Sequence, residues 1–216
     1  MKHRALPLAT ALAATAALLL TACGGGSDKP SDDDQIAGAE TNDTKTSASP
    51  NASASISRPD LSLPSDVKEV FEGWSMGDED KDAALADAGR SMTAVNRAIT
   101  DSQPDSAALK FYYEGEALVG AAKWVQTFVD HDATITGTTR YYSPTVNMSG
   151  KKTAAVTLCA DESKAFNKFR KTGKVDRSAP SDDSYVYYLS RLKLNDTGVW
   201  VTTEVHSQRG SAKCTP

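Results

Sequence analysis

Apolar residues recur every three or four positions through the first half of the folded part of this chain and every second position through the rest. Val67, Val70, Phe71 and Trp74 make one helical stripe. Leu85, Ala88, Met92, Val95 and Ile99 make another, with Asp66 and Asp78 placed as N-caps for the two. A third stripe, Leu109, Tyr113, Ala117, Gly120, Trp124 and Phe128, starts after Pro104-Asp105 and carries Gly115 and Gly120 as points of close packing. The spacing predicts three helices.

After Asp132 the period falls to two, and β-branched and aromatic residues take over. Thr134-Ile135-Thr136 leads to Tyr141-Tyr142, where Pro144 interrupts the first strand. Ser149-Gly150-Lys151 turns the chain into a second strand, Lys152 to Ala160, with Val156 and Leu158 on one face and Ala155, Thr157 and Cys159 on the other. Tyr185 to Leu194 and Val199 to Val205 flank Asn195-Asp196-Thr197-Gly198 and read as a hairpin. Val199, Val201 and Val205 share a face there; Trp200 takes the other and is a natural member of an exposed apolar patch. N-terminal helices packed on a roughly four-stranded antiparallel sheet define an α+β domain, and no internal repeat is visible.

Composition divides the chain into three parts. Lys2 and Arg4 precede an alanine- and leucine-rich stretch that closes on Leu20-Thr21-Ala22-Cys23, the pattern of a lipobox. Residues 1–22 are therefore expected to be a lipoprotein signal peptide, with Cys23 the lipidated first residue of the mature chain, held on the extracytoplasmic face of the cell membrane by acyl burial. From 23 to 60 follows a polar linker with Ile36 and Ile56 as its large aliphatics, too poor in apolar surface to fold. Its coil reach is about 30 Å. Residues 61–216 have the length of a single domain.

With Cys23 assigned to lipid, Cys159 and Cys214 remain, and a pair in an exported protein reads most simply as a disulfide. A reactive thiol or a metal site lacks support, since no histidine or second cysteine stands at ligand spacing around either. The formal charge of -4 becomes -6 once Lys2 and Arg4 leave with the signal (-4 minus 2). An acidic balance of that kind excludes a general nucleic-acid binder.

Thr136-Gly137-Thr138-Thr139-Arg140-Tyr141-Tyr142, the segment Leu158-Cys159-Ala160-Asp161-Glu162-Ser163-Lys164, Thr172-Gly173-Lys174 and Gly198-Val199-Trp200 with Cys214 resemble secreted lipoproteins of actinobacteria, Streptomyces-type ones in particular. That resemblance implies a cone-shaped domain similar to the nuclear transport factor 2-like or SnoaL-like fold, in which a pocket often lies between sheet and helices. Its enzymes use a buried Asp or His with tyrosines to move protons at an apolar ligand.

Tyr113, Glu116, Tyr142 and Tyr187 are the candidates for such a pocket. Asp130-His131-Asp132 is a local His/carboxylate cluster, but it stands at the end of a helix, where capping and solvation account for it better than catalysis or metal binding. Lys164, Lys168, Arg170, Lys171 and Lys174, with Arg177, crowd a segment that a polyanion or lipid headgroups could contact; a solvated helix and loop is the plainer reading. No triad, phosphate loop, cofactor-binding or paired-cysteine metal motif appears among the readable strings. The leading expectation is a membrane-anchored, non-enzymatic domain that binds a small apolar ligand or a cell-envelope protein. A pocket enzyme working by acid/base chemistry and an accessory subunit of an envelope complex are the alternatives.

Overall fold

The structure, a computed structural model, describes residues 56–216. The signal segment, Cys23 and the linker up to residue 55 lie outside the described residues. The element order is β1 (Val67–Phe71), α1 (Glu79–Asp101), α2 (Ala107–Tyr112), α3 (Gly115–Asp130), β2 (Ala133–Met148), β3 (Thr153–Phe169), β4 (Val175–Asp176), a single 3-10 turn (Asp182–Ser184), β5 (Tyr185–Leu194) and β6 (Trp200–Arg209). This is an α+β domain with its helices packed on a sheet.

Helix α1 follows its sequence signals. The Asp78 carboxylate accepts from the Lys81 N–H at 3.0 Å, and Glu79, Asp80 and Asp82 place negative charge at the positive end of the helix dipole. Ser102 ends the helix in the left-handed region, returning its N–H to the carbonyls of Ala98 and Ile99. Ala84, Leu85, Ala88, Ala94, Ala98 and Ile99 are all buried, and the small side chains among them let the helix lie close against the sheet.

The first predicted helix is instead strand β1. Three apolar positions between Pro64 and Gly73 are too few to separate helical from extended spacing, and Val67 and Val70 favour the latter. What decides is the open edge of β2, along which Val67 to Phe71 pair in parallel with Gly137 to Tyr141. Asp66 is thus a strand-entry residue, receiving Lys168 Nζ at 3.0 Å, and not an N-cap.

The third predicted helix is broken into α2 and α3. Tyr113 and Glu114 are extended, because Tyr113 bridges to Thr202 and the Glu114 N–H donates to the Thr202 carbonyl at 3.0 Å. A tertiary strand contact overrides the helical period, and Gly115, at φ 57, reopens the helix beyond it.

The sheet runs β1-β2-β3-β5-β6, with β4 paired to β3, so it has six strands and not four; β1 joins in parallel and the others are antiparallel. Pro144 does not end β2. A register shift between Tyr142 and Thr145, with Ser143 at φ 49, bulges the strand so that the proline's missing N–H costs no ladder bond. Strand β3 likewise continues past Ala160 to Phe169, through the segment read as helix and loop, tied by Arg140–Asp161 at 3.2 Å and Arg209–Glu162 at 2.7 Å.

Two apolar clusters make the core. One joins Leu85 and Ala88 of α1 to Tyr141, Val156, Leu158, Val186, Leu192 and Trp200 on the sheet. The other joins Ile99, Leu109, Tyr112, Tyr113 and Val125 to Val199 and Val201. Trp200 is therefore buried, at 3% exposure, and forms no surface patch: both faces of the start of β6 are covered. A register shift opposite Arg191 and Leu192 then leaves Val205 exposed. Ile56 and Arg58, within the stretch read as linker, pack on this second cluster, Ile56 beside Gly198 and Arg58 on the fully buried Asp87.

Cys159 and Cys214 form the expected disulfide, with Cα atoms 5.5 Å apart. Tyr142 donates its hydroxyl proton to the Cys214 carbonyl, which fastens the C-terminal turn to β2 as well.

Candidate functional site

A cavity of about 980 Å³, open to solvent, lies between helices α1 and α3 and the far halves of β3, β5 and β6. Met92, Val95 and Ile99 come from α1, Ala117, Trp124 and Phe128 from α3, and Ile135, Tyr141, Phe166 and Tyr188 from the sheet. Trp124 and Phe128, one turn apart, meet edge to face at 5.3 Å. Trp124 stays half-exposed, because α3 turns only part of its apolar surface toward the protein.

Three tyrosines bring polarity to this apolar wall. Tyr113 donates to the Ser91 carbonyl at 3.2 Å, and burial pushes its phenol up to about 12. Burial also raises Tyr188, with the Glu162 carboxylate adding to the effect; its hydroxyl has no hydrogen-bond partner among the described residues. Tyr141 is raised well above the ordinary phenol value, first by burial and then by the negative charge of Glu69. All three therefore stay protonated and neutral at physiological pH, as hydrogen-bonding groups and not as bases.

Behind Tyr141 stands a small polar network. Glu69 on β1 accepts from Thr93 Oγ1 and from Asn96 Nδ2, each at 2.7 Å, and Asn96 Nδ2 also reaches the Tyr141 hydroxyl at 3.3 Å. Burial raises the Glu69 carboxyl above its usual range, partly offset by those two donors. No sequence signal for the network exists, since Glu69 and Tyr141 are brought together by the parallel pairing of β1 with β2, and Asn96 by the packing of α1 on the sheet.

Of the four residues proposed from sequence for the pocket, Tyr113 and Glu116 line the cavity, Glu116 at its exposed rim. Tyr142 and Tyr187 do not line it; they sit on the disulfide side, with Arg140 over the Tyr142 ring at 4.3 Å and Lys213 Nζ over that of Tyr187 at 4.3 Å. Their sequence neighbours Tyr141 and Tyr188 line it instead. In a strand, one residue of parity moves a side chain through the sheet, and adjacent tyrosines give composition no means of choosing between them.

The basic segment is dispersed by β3. Lys168 pairs with Asp66, Arg170 donates its guanidinium to the carbonyls of Ala133, Ile99 and Thr100 at the end of α1, and Lys171 approaches Asp132 at 3.9 Å. Lys164 and Lys174 remain exposed, without an ion pair among the described residues. In the Asp130-His131-Asp132 cluster, His131 caps α3, its N–H and ring Nδ1 both meeting the Thr127 carbonyl. No group of three or more potential metal ligands converges among the described residues, and no helix among them is long and apolar enough to cross a membrane.

No family model and no curated protein matches the sequence. Among solved structures, the chain is similar to the intermembrane-space region of the chloroplast protein ARC6, with 13% identity, a TM-score of 0.43 and coverage of 61% of this chain and 98% of that one. It is also similar to a ketosteroid isomerase-like protein from Erwinia carotovora, with 18% identity, a TM-score of 0.40 and coverage of 62% and 98%.

Proposed function

We propose that this chain is a lipid-anchored extracytoplasmic protein whose domain, of nuclear transport factor 2-like type, binds a small apolar ligand in the cavity between α1, α3 and the sheet. The observation that carries the reading is the cavity itself. Its volume of about 980 Å³ and its lining by Trp124, Phe128, Phe166 and three tyrosines match what a ligand of a few fused rings or a folded acyl chain needs. Anchoring is supported by the sequence pattern ending at Cys23, which would hold the ligand site near the membrane surface where apolar molecules concentrate.

Binding fits the lining better than proton transfer does. Glu162 is held by Arg209 at 2.7 Å, and His206 stands on the exposed end of β6 against Glu204 at 2.6 Å. Glu69, the desolvated carboxylate nearest the tyrosines, has both oxygens occupied by Thr93 and Asn96, so it orients its neighbours in place of drawing a proton from a ligand.

A neutral hydrophobic fluorophore such as N-phenylnaphthylamine tests the reading. Binding with a fluorescence rise is expected, weakened several-fold in Trp124→Ala without loss of folding. A wild-type protein that leaves the fluorophore in water would remove the cavity as a ligand site. Anchoring is read separately: Cys23→Ser is expected to abolish incorporation of labelled fatty acid and to leave unprocessed precursor.

A further inference from the structure

The polar network behind Tyr141 has a directional consequence. A carboxylate can only accept, so the Asn96 amide must turn its NH2 group toward Glu69 Oε1, 2.7 Å away. The second hydrogen of that NH2 is then the one that meets the Tyr141 hydroxyl at 3.3 Å, and the phenol oxygen is committed as an acceptor. Its own proton has to point elsewhere, and among the described residues no acceptor receives it. Tyr141 is only 6% exposed, its ring is stacked on Phe71 at 4.9 Å, and both it and Asn96 line the cavity. A buried donor without a protein partner costs free energy unless something in the cavity accepts from it.

We propose that Tyr141 is the ligand-anchoring donor of this cavity, aimed by Asn96 and Glu69, and that it selects an uncharged ligand carrying a carbonyl or ether oxygen over an anionic one. This rests on the cavity being an apolar ligand site. Selection against anions follows from Glu69 on β1, which Asn96 links to the Tyr141 hydroxyl, and whose negative charge acts on that phenol together with the weaker influence of Tyr188 and Glu162. The Arg209 guanidinium, which also donates to the Asp183 carbonyl, neutralises Glu162, so Glu69 is the charge that a bound anion would meet. A carboxylate placed at the Tyr141 hydroxyl would gain one hydrogen bond while meeting the negative field of Glu69 in a desolvated site, whereas a carbonyl gains the bond alone.

Three naphthalenes of one shape separate these terms: acetonaphthone with a carbonyl, ethylnaphthalene without one, and naphthoate with a charge. Affinities are measured by quenching of the tryptophan emission and confirmed calorimetrically. Wild-type protein is expected to bind acetonaphthone roughly tenfold tighter than ethylnaphthalene and to bind naphthoate more weakly than either. In Tyr141→Phe the ketone should fall to the level of the hydrocarbon while the hydrocarbon is unchanged, a separation that a general loss of packing would not produce. In Glu69→Gln, whose amide can still accept from Asn96 and donate to Thr93, ketone binding should persist and naphthoate should gain several-fold. Hydrocarbon binding with no ketone preference, or a preference that survives Tyr141→Phe, overturns the anchor and leaves the apolar cavity standing. Failure of all three ligands to bind removes the cavity reading, and the anchor with it.

Discussion

Arg58 and Asp87 form the most deeply placed ion pair in the domain, with guanidinium nitrogens 2.5 and 3.2 Å from the two carboxylate oxygens. Asp87 lies inside helix α1 at 1% exposure, and it also receives Arg90 Nη1 at 2.8 Å and the backbone N–H of Trp200 at 3.0 Å. One carboxylate thus joins the segment entering the domain, the first long helix and the start of the last strand. A buried acceptor with several donors is tolerable; the donors without it are not.

Asp87→Ala is therefore expected to lower the unfolding free energy by about 3 kcal/mol, since it strands the Trp200 N–H and leaves Arg58 without its partner. Arg58→Ala should cost less, because Arg90 still neutralises Asp87. A chain that begins at Leu61 should show a loss comparable to Arg58→Ala, with Ile56 removed as well. Chemical denaturation of the three variants checks the order.

The Cys159–Cys214 bridge closes a sequence separation of 55 residues. Loop-closure entropy gives it a ceiling of about 4 kcal/mol, and typical native bridges contribute 2 kcal/mol or more, roughly. Cys214→Ser should lower the melting temperature, and reductant should bring wild type down toward the same value while leaving the variant unmoved. A melting temperature insensitive to both would show that Tyr142 and the surrounding contacts hold the C-terminal turn without help.

Gly137 sits at φ 97 where β1, β2 and β3 meet, and a Cβ placed there would stand 2.1 Å from the Lys164 carbonyl oxygen. Backbone on the facing strand cannot step aside as a side chain can. Gly137→Ala should cost at least ~2 kcal/mol and loosen the pairing that brings Glu69 beside Tyr141. Hydrogen exchange at the Gly137 N–H, which donates to the Asp66 carbonyl at 2.7 Å, reports the change directly.

Glu69 sets a pH dependence of unusual sign for a carboxyl. Burial raises it above its ordinary 4.5, so the folded state binds a proton more tightly than the unfolded chain does. Its contribution to stability therefore improves as pH falls through the raised value and levels off below the ordinary one. Asp161, lowered despite its burial by hydrogen bonds from Ser163 and Arg140, works the other way and loses its contribution as pH falls below the ordinary carboxyl range. Relative to wild type, Glu69→Gln is expected to melt higher at neutral pH, with the gain shrinking on acidification. A difference between the two proteins that is flat with pH would contradict this.

Helix α1 was legible residue by residue, because its cap, its acidic first turn and its apolar period all lie within one stretch of chain. So was strand β5, with alternating residues between turn signals, and so was the cysteine pairing, by number. Local chemistry determines these, and an α+β class follows from their order. Tertiary structure decided the rest. The segment from Val67 to Phe71 is a strand because β2 offers it an edge, Tyr113 leaves the helix because Thr202 is there to pair with it, and the start of the basic run, Lys164 and Lys168, becomes strand because β2 pairs along it and β4 joins it at Lys168. The cavity follows the same logic. Its tyrosines were visible in the sequence, but which of Tyr141 and Tyr142, or of Tyr187 and Tyr188, faces inward depends on bulges and register, and Glu69 comes beside Tyr141 only through a pairing between strands more than sixty residues apart. Short apolar runs carry too little periodicity to fix their own conformation, so long-range partners supply the choice.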